Sequence, residues 1–388
     1  MPTINPTALR LALMYAALFV IFGVQVTYLP VWLDARGLTA AEISFALSTP
    51  MFVRILVTPS LAVWADRAQS HKATVGGLCA TGLAIMLLLS VLEVRPLVVA
   101  LVIVMLTAMG SIMPFADAIT LAAVRAGAGL QYGRIRLWGS LTFVLASYAA
   151  GFAVAATGPN SIIWLLVAGA AMTTVAASMV QSPSGESSTR RRAGFGDLLA
   201  TVRDRGFLLL LISAGLIQAS HAMLYTFGVL HWRAQGLSPG FIGTLWAVGV
   251  FAEIILFWVA GKASALGATG LMLIGGLSAL VRWTAMAFDP SPALLVPLQV
   301  LHAGTFASTH LGAMQWISTN VPSEKSGTAQ ALLATSTGGI AMSTATLASG
   351  PLYEAFAGAS YIAMTIMGVA GLLAVAMLAR NGEKRAGD

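Results

Sequence analysis

Ionisable side chains are scarce in this chain, and those that interrupt its apolar stretches are the first candidates for chemistry. Arg54, Asp117, His221, Glu253, Arg282, His302 and His310 all fall inside long runs of apolar residues. A charge or imidazole placed in such surroundings is costly unless it faces a partner or a wet cavity. Gln299, His302, Phe306 and His310 recur at spacings of three, four and four, which puts them on one face of a helix. Gln218, His221 and Tyr225 repeat the pattern at three and four. Imidazoles titrate near neutral pH and both donate and accept hydrogen bonds, so two such faces suit a wall along which a solute and a proton could be handled.

Asp117 and Glu253 are the candidate proton carriers, because a carboxyl group whose surroundings change can load and release a proton. Arg54 is the candidate anion receptor. Counting along the helices suggests that Asp117 lies within its reach, about one turn shallower. A permanent buried ion pair would explain Arg54 and Asp117 equally well, and histidines bonded to nearby backbone would explain the imidazoles. Arg282 falls near the end of its apolar run, where a long side chain is expected to snorkel to the lipid headgroups. Tyr15, Phe22 and Tyr225 offer rings for stacking.

Other chemistry finds no support. There is no phosphate-cradling glycine loop followed by Lys-Ser/Thr, no zincin histidine pair and no nucleophile elbow. The single cysteine, Cys79, allows neither an intramolecular disulfide nor a cysteine-based metal site. No enzyme activity, cofactor or metal is expected.

The elements that must hold these residues are membrane helices. Of 388 residues, 58% are hydrophobic and 9% charged, against roughly 25% charged in soluble domains. Apolar stretches of about 20 residues, the length needed to cross the hydrocarbon core, recur near 9–33, 41–65, 73–93, 96–124, 136–157 and 161–181. A second set covers 207–231, 239–261, 268–288, 292–320, 327–350 and 358–380. The first stretch is longer than a signal-peptide core and is expected to remain as a span. Basic residues sort by side: Arg10, Arg67, Lys72, Arg125, Arg134, Arg136, the Arg190-Arg191-Arg192 run, Arg203, Arg205, Lys262, Lys325, Arg380, Lys384 and Arg385 fall on one, and Arg36, Arg95 and Arg233 on the other. The positive-inside rule then places both termini in the cytoplasm of a cell with the chain in its inner membrane. The net charge of +7 thus sets orientation and does not call for a nucleic-acid partner; lipid is the expected surrounding.

Residues 182–206, rich in Ser, Gly and Arg, read as a cytoplasmic linker between an N-terminal six-helix bundle, 1–181, and a C-terminal one, 207–388. The halves match weakly at an offset of 199 residues. Gly37-Leu38-Thr39 corresponds to Gly236-Leu237-Ser238, Ile43 to Ile242, Phe52 to Phe251, and Arg54 to Glu253. Gly139, Ser140, Ser147 and Gly151 in span five, and Gly338-Gly339 in span eleven, are expected to let helices approach closely. The layout predicts an all-α integral membrane protein: twelve transmembrane helices in two pseudo-symmetric six-helix bundles, with a site near the midplane.

Four segments carry a family resemblance: Phe115-Ala116-Asp117-Ala118, Tyr132-Gly133-Arg134-Ile135-Arg136-Leu137-Trp138-Gly139-Ser140, Ala252-Glu253-Ile254, and the run from Gln299 to Ala307. They resemble the phenylpropionate permease-like group of the major facilitator superfamily, akin to the lactose permease and nucleoside symporter branches. The superfamily signature after span two is degraded, with Ala62 in place of its first glycine and Gln69 in place of a second. The resemblance implies a symporter that imports a small-molecule substrate, an aromatic carboxylate such as phenylpropionate, together with protons; the working unit is expected to be a monomer. A facilitator or exporter of a neutral solute such as a nucleoside or sugar, and a transporter-like receptor that moves nothing, stay open as alternatives.

Overall fold

A chain this apolar must satisfy its backbone polar groups internally wherever lipid surrounds it, and a helix does so within one segment. The structure, a computed structural model, describes residues 5–67, 70–126, 130–180 and 203–387. Among these the regular structure is entirely helical. Spans one to six are Pro6–Ala35, Ala40–Arg67, His71–Val91, Arg95–Arg125, Tyr132–Thr157 and Ser161–Met179. The linker expected at 182–206 lies outside the described residues up to 202, and with it the Arg190-Arg191-Arg192 run. Span seven starts at Arg205, where Asp204 caps the helix by accepting from the Phe207 N–H at 2.8 Å. Asn5 does the same for span one, accepting from the Thr7 N–H at 2.9 Å ahead of a proline in the first turn.

The later spans are less regular than the hydropathy suggests. Span seven divides into Arg205–Ala219 and Ala222–Ala234. Span eight is Pro239–Trp258 and span nine Gly267–Met286. Span ten runs from Pro292 to Asn320 through a π-turn at Ala303–Ser308, and a second π-turn occupies Thr335–Ala341 of span eleven. Among the described residues, ten helical segments are long and apolar enough to cross a membrane. One of them, Ser323–Asn381, has 59 residues, which would make about 90 Å of straight helix against a hydrocarbon core of about 30 Å. It divides at Ala357, whose φ of 45° interrupts the helix.

Contacts group the chain into two compact units: Met1–Thr189 with Trp232–Gly243, and Arg190–His231 with Thr244–Asp388. In the first, span one packs on spans five and six, and span three on spans four and six. In the second, span seven packs on spans eleven and twelve, and span nine on spans ten and twelve. The same neighbour pattern recurs six spans later.

The repeat is also visible at atomic detail. Gly37 and Gly236 both take positive φ, 76° and 81°. In each turn the glycine N–H donates to the carbonyl three residues back, Asp34 or Arg233, and the following leucine N–H to the carbonyl five back, Leu33 or Trp232. Ile43 and Ile242 are both buried. Glycine is chosen at 37 and 236 because left-handed backbone is unfavourable for other residues.

Close approach in the first unit follows from the small residues of span five. Ser147 donates to the Gly23 carbonyl at 3.0 Å, and a Cβ on Gly23 would stand 2.5 Å from the Phe143 carbonyl oxygen. Cβ atoms on Gly139 and Gly151 would press on Phe19 and on the Tyr28 hydroxyl. The close packing expected at Gly338 is not found: a Cβ there would meet open space, and the glycine lies instead within the π-turn of span eleven.

These geometries rank two substitutions. Gly236→Ala adds a methyl group in open space, so only the left-handed backbone is penalised, by about 1–2 kcal/mol. Gly23→Ala drives its methyl into backbone and should lower the thermal unfolding midpoint in detergent further than Gly236→Ala does. Equal, wild-type-like midpoints would contradict both assignments.

Candidate functional site

In the second unit, four spans bring polar side chains to one place, and the chemistry of a single residue dictates how they are arranged. Arg282 of span nine is fully buried, at 0% exposure. The expected snorkelling to the headgroups is therefore wrong: the side chain turns into the protein. The physical reason is a set of acceptors on span ten that compensates the desolvated charge better than a distant interface could. Guanidinium N–H groups donate and cannot accept. One terminal nitrogen donates to Gln299 Oε1 at 2.6 Å, and the other to His302 Nδ1 and Thr305 Oγ1, both at 3.3 Å. The ring of Trp283 lies under the guanidinium, 4.5 Å from its carbon.

Because Arg282 only donates, His302 Nδ1 must present a lone pair. The ring proton of the neutral imidazole is then on Nε2, which faces Glu253 Oε2 of span eight at 3.5 Å. His302 thus stands between a cation and a carboxylate. Glu253 is half-buried and within electrostatic reach of Tyr225 and His310.

His221 takes the opposite tautomer. Its Nδ1 lies 2.8 Å from the Gln218 carbonyl, an acceptor, so Nδ1 carries the proton. Its Nε2 accepts from Thr305 Oγ1 at 2.8 Å, while Thr305 itself accepts from Arg282. A directed chain therefore runs from Arg282 through the Thr305 hydroxyl and His221 to the backbone of span seven. The rings of His221 and His302 meet edge to face at 5.1 Å, and His302 stacks on Phe306 at 5.4 Å.

The helix breaks of spans seven and ten belong to this cluster. Span seven opens at Ser220 and His221, leaving the Gln218 carbonyl to His221. Ser220 accepts from Trp283 Nε1 at 2.8 Å. In span ten, the Gln218 amide donates to the Phe306 carbonyl at 3.2 Å, within the π-turn. The residues predicted on spans seven and ten thus converge: Gln218, His221, Gln299, His302 and Phe306 lie in one network, with Tyr225 stacked on His221 at 5.4 Å. His310 lies farther along, beside Phe257 at 6.4 Å, and exposed. Arg282 was assigned to the headgroups and not to the site, and Thr305 was missed. Thr305 follows His302 by three residues, a helical spacing that could have marked it.

The first unit holds its own pair of sites. Asp117 accepts at one oxygen from the Tyr15 hydroxyl at 2.5 Å and the Tyr132 hydroxyl at 2.9 Å. These phenols meet edge to face at 6.5 Å, and Arg136 covers the rings of Tyr15 and Phe19. Arg54 does not pair with Asp117, contrary to expectation. Its guanidinium instead packs on Gly110, where an added Cβ would collide with it. Gly110 precedes Asp117 by seven residues, about 10 Å along the helix. Among the described residues Arg54 forms no ion pair, and its Nε is buried without an acceptor. Thr58 and Ser111 share a hydrogen bond at 2.9 Å one turn away.

Comparison with known proteins returns membrane transporters of this helical architecture. The model of the MFS_1 like family matches residues 8–363, and the chain belongs to this family of the major facilitator superfamily. It is 31% identical over 320 residues to a probable 3-phenylpropionic acid transporter of Escherichia coli (strain K12), covering 81% of this chain and 83% of that one. It is 28% identical over 392 residues to the maltose permease of Geobacillus stearothermophilus, covering 97% and 95%. The crystal structure of the nucleoside transporter NupG superposes with a TM-score of 0.80 at 16% identity, over 97% of this chain and 99% of that one. The family resemblance carried by the sequence motifs is borne out, and the chain is a multi-pass membrane transporter, not an enzyme.

Thr305→Val keeps the approximate volume and removes the hydroxyl that joins Arg282 to His221. Leaving those two buried groups unsatisfied costs about 1–3 kcal/mol, measurable as a lower unfolding midpoint in detergent. A wild-type midpoint would mean that the hydroxyl is not part of the network.

Proposed function

We propose that this transporter is a proton-coupled symporter that imports a small organic acid, an aromatic carboxylate such as 3-phenylpropionate, by alternating access. The observation that carries the reading is the line Arg282–His302–Glu253. An imidazole held between a donor-only cation and a half-buried carboxylate can pass a proton to or from Glu253 without leaving its place. Asp117, held by two phenols, is the second carboxylate that could load a proton. Arg54, with its buried Nε lacking an acceptor, could receive an anionic group, and Tyr225, Phe306 and His310 could border the solute.

Proton coupling is favoured over sodium by the two helix breaks. Broken spans in transporters offer freed carbonyl oxygens to cations, but here the Gln218 carbonyl faces the His221 N–H and the Phe306 carbonyl faces the Gln218 amide.

Counting span ten, and taking Ser323–Asn381 as two crossings, gives about twelve crossings of the core. The distribution of Lys and Arg supports cytoplasmic termini in the inner membrane, with bundles at 1–181 and 207–388 joined by the 182–206 linker. We treat the functional unit as a monomer in lipid. A second reading, transport of a neutral sugar, is favoured by the longer match to the maltose permease.

Proteoliposomes separate these. With an inward proton gradient, labelled 3-phenylpropionate should accumulate and maltose should not; equal uptake with and without the gradient removes the coupling. Glu253→Gln should abolish accumulation while sparing counterflow exchange. If Asp117→Asn does this and Glu253→Gln does not, the proton travels by the first unit. If neither changes accumulation, the carboxylate assignment is wrong.

A further inference from the structure

The buried network of the second unit contains more donors than acceptors. Arg282, at 0% exposure, and Gln299, at 3%, are bonded to each other. That bond fixes the amide: a guanidinium needs an acceptor, so Gln299 Oε1 faces Arg282 and its NH2 points away. Yet among the described residues both Arg282 Nε and Gln299 Nε2 are buried without an acceptor. Trp246 Nε1 and the Tyr361 hydroxyl, two further donors in this unit, are also buried and unmatched. Tyr361 stands within electrostatic reach of Arg282. An unsatisfied buried donor is costly, and one water does not remove the surplus, because it brings two donors of its own. A ligand that only accepts does.

We propose that the Arg282–Gln299 pair is the binding site for the carboxylate of the transported solute. This deepens the import of an aromatic acid argued above and rests on it. A carboxylate brings two oxygens that accept and none that donate, and it matches the paired N–H groups of a guanidinium edge. The walls suit a flat apolar body. Trp283 lies against the Arg282 guanidinium and stacks on Tyr361 at 5.8 Å; Tyr225 stacks on Trp246 at 5.9 Å. Tyr225, Phe306 and Glu253, which border the network, are partly exposed. Arg54 then has a different part: it meets the anion elsewhere on its path, or carries out a packing role against Gly110.

Isothermal titration on purified protein in nanodiscs tests the assignment with three probes: 3-phenylpropionate, the uncharged 3-phenylpropan-1-ol, and sodium chloride. The wild type should bind the acid in preference to the alcohol. Arg282→Gln should weaken the acid about tenfold or more, the loss of one charge-assisted pair, and leave the alcohol unchanged. Gln299→Met should weaken the acid by a smaller factor. If Arg282→Gln fails to unfold cooperatively, Gln299→Met decides: unchanged acid affinity overturns the proposal. Competition by millimolar chloride as strong as that by the acid would assign the surplus to an inorganic anion and overturn it too. If Arg54→Ala removes acid binding while Arg282→Gln does not, the carboxylate binds at Arg54; this inference fails and the acid-transport reading stands. A wild type that binds neither aromatic probe but takes up maltose defeats both.

Discussion

A guanidinium gives hydrogen bonds and never takes them, and one buried inside a membrane protein imposes that asymmetry on everything it touches. Arg282 makes His302 Nδ1 an acceptor, turns the Gln299 oxygen inward, and recruits the Thr305 hydroxyl. The proton on His302 is thereby directed at Glu253, and the proton of Thr305 at His221. Two histidines whose rings lie 5.1 Å apart are held in opposite tautomers, His302 by this cation and His221 by the Gln218 carbonyl. Burying such a group without acceptors would cost several kcal/mol, so spans seven, eight, nine and ten are bound to a common geometry.

The irregular backbone follows from the same requirement. Span seven opens beside His221, and span ten makes a π-turn beside His302. At each break a carbonyl also accepts from a side-chain N–H of span seven, Gln218 from His221 Nδ1 and Phe306 from the Gln218 amide. A π-turn within a helix is rare and occurs often at functional sites. Here it lies in the segment that presents the polar stripe to span eight, where Glu253 faces His302 and Phe257 faces His310.

Much of this was readable from residue types alone. Hydropathy gave the spans to within a few residues, and the offset of 199 found a repeat whose Gly37 and Gly236 turns share φ and hydrogen bonding. The three-four-four stripe correctly put Gln299, His302 and Phe306 on one face. What was not readable depends on depth and on tertiary partners. Whether Arg282 reaches the headgroups or the interior turns on acceptors supplied by a different span, to which a one-dimensional count is blind. Arg54 and Asp117 were paired by counting from helix ends; the actual levels differ by seven residues, and two tyrosines from spans one and five hold Asp117 instead. The π-turn of span ten leaves no mark in an apolar pattern; its Phe306 carbonyl meets the Gln218 amide of another span.

The tautomer of His302 is the quantity on which the account turns, and nitrogen NMR reads it directly. With 15N-labelled histidine in bilayers, and the signal assigned by its loss in His302→Gln, Nδ1 should resonate as an unprotonated acceptor and Nε2 as N–H at neutral pH. A protonated Nδ1 could not accept from Arg282, and finding one would contradict the arrangement.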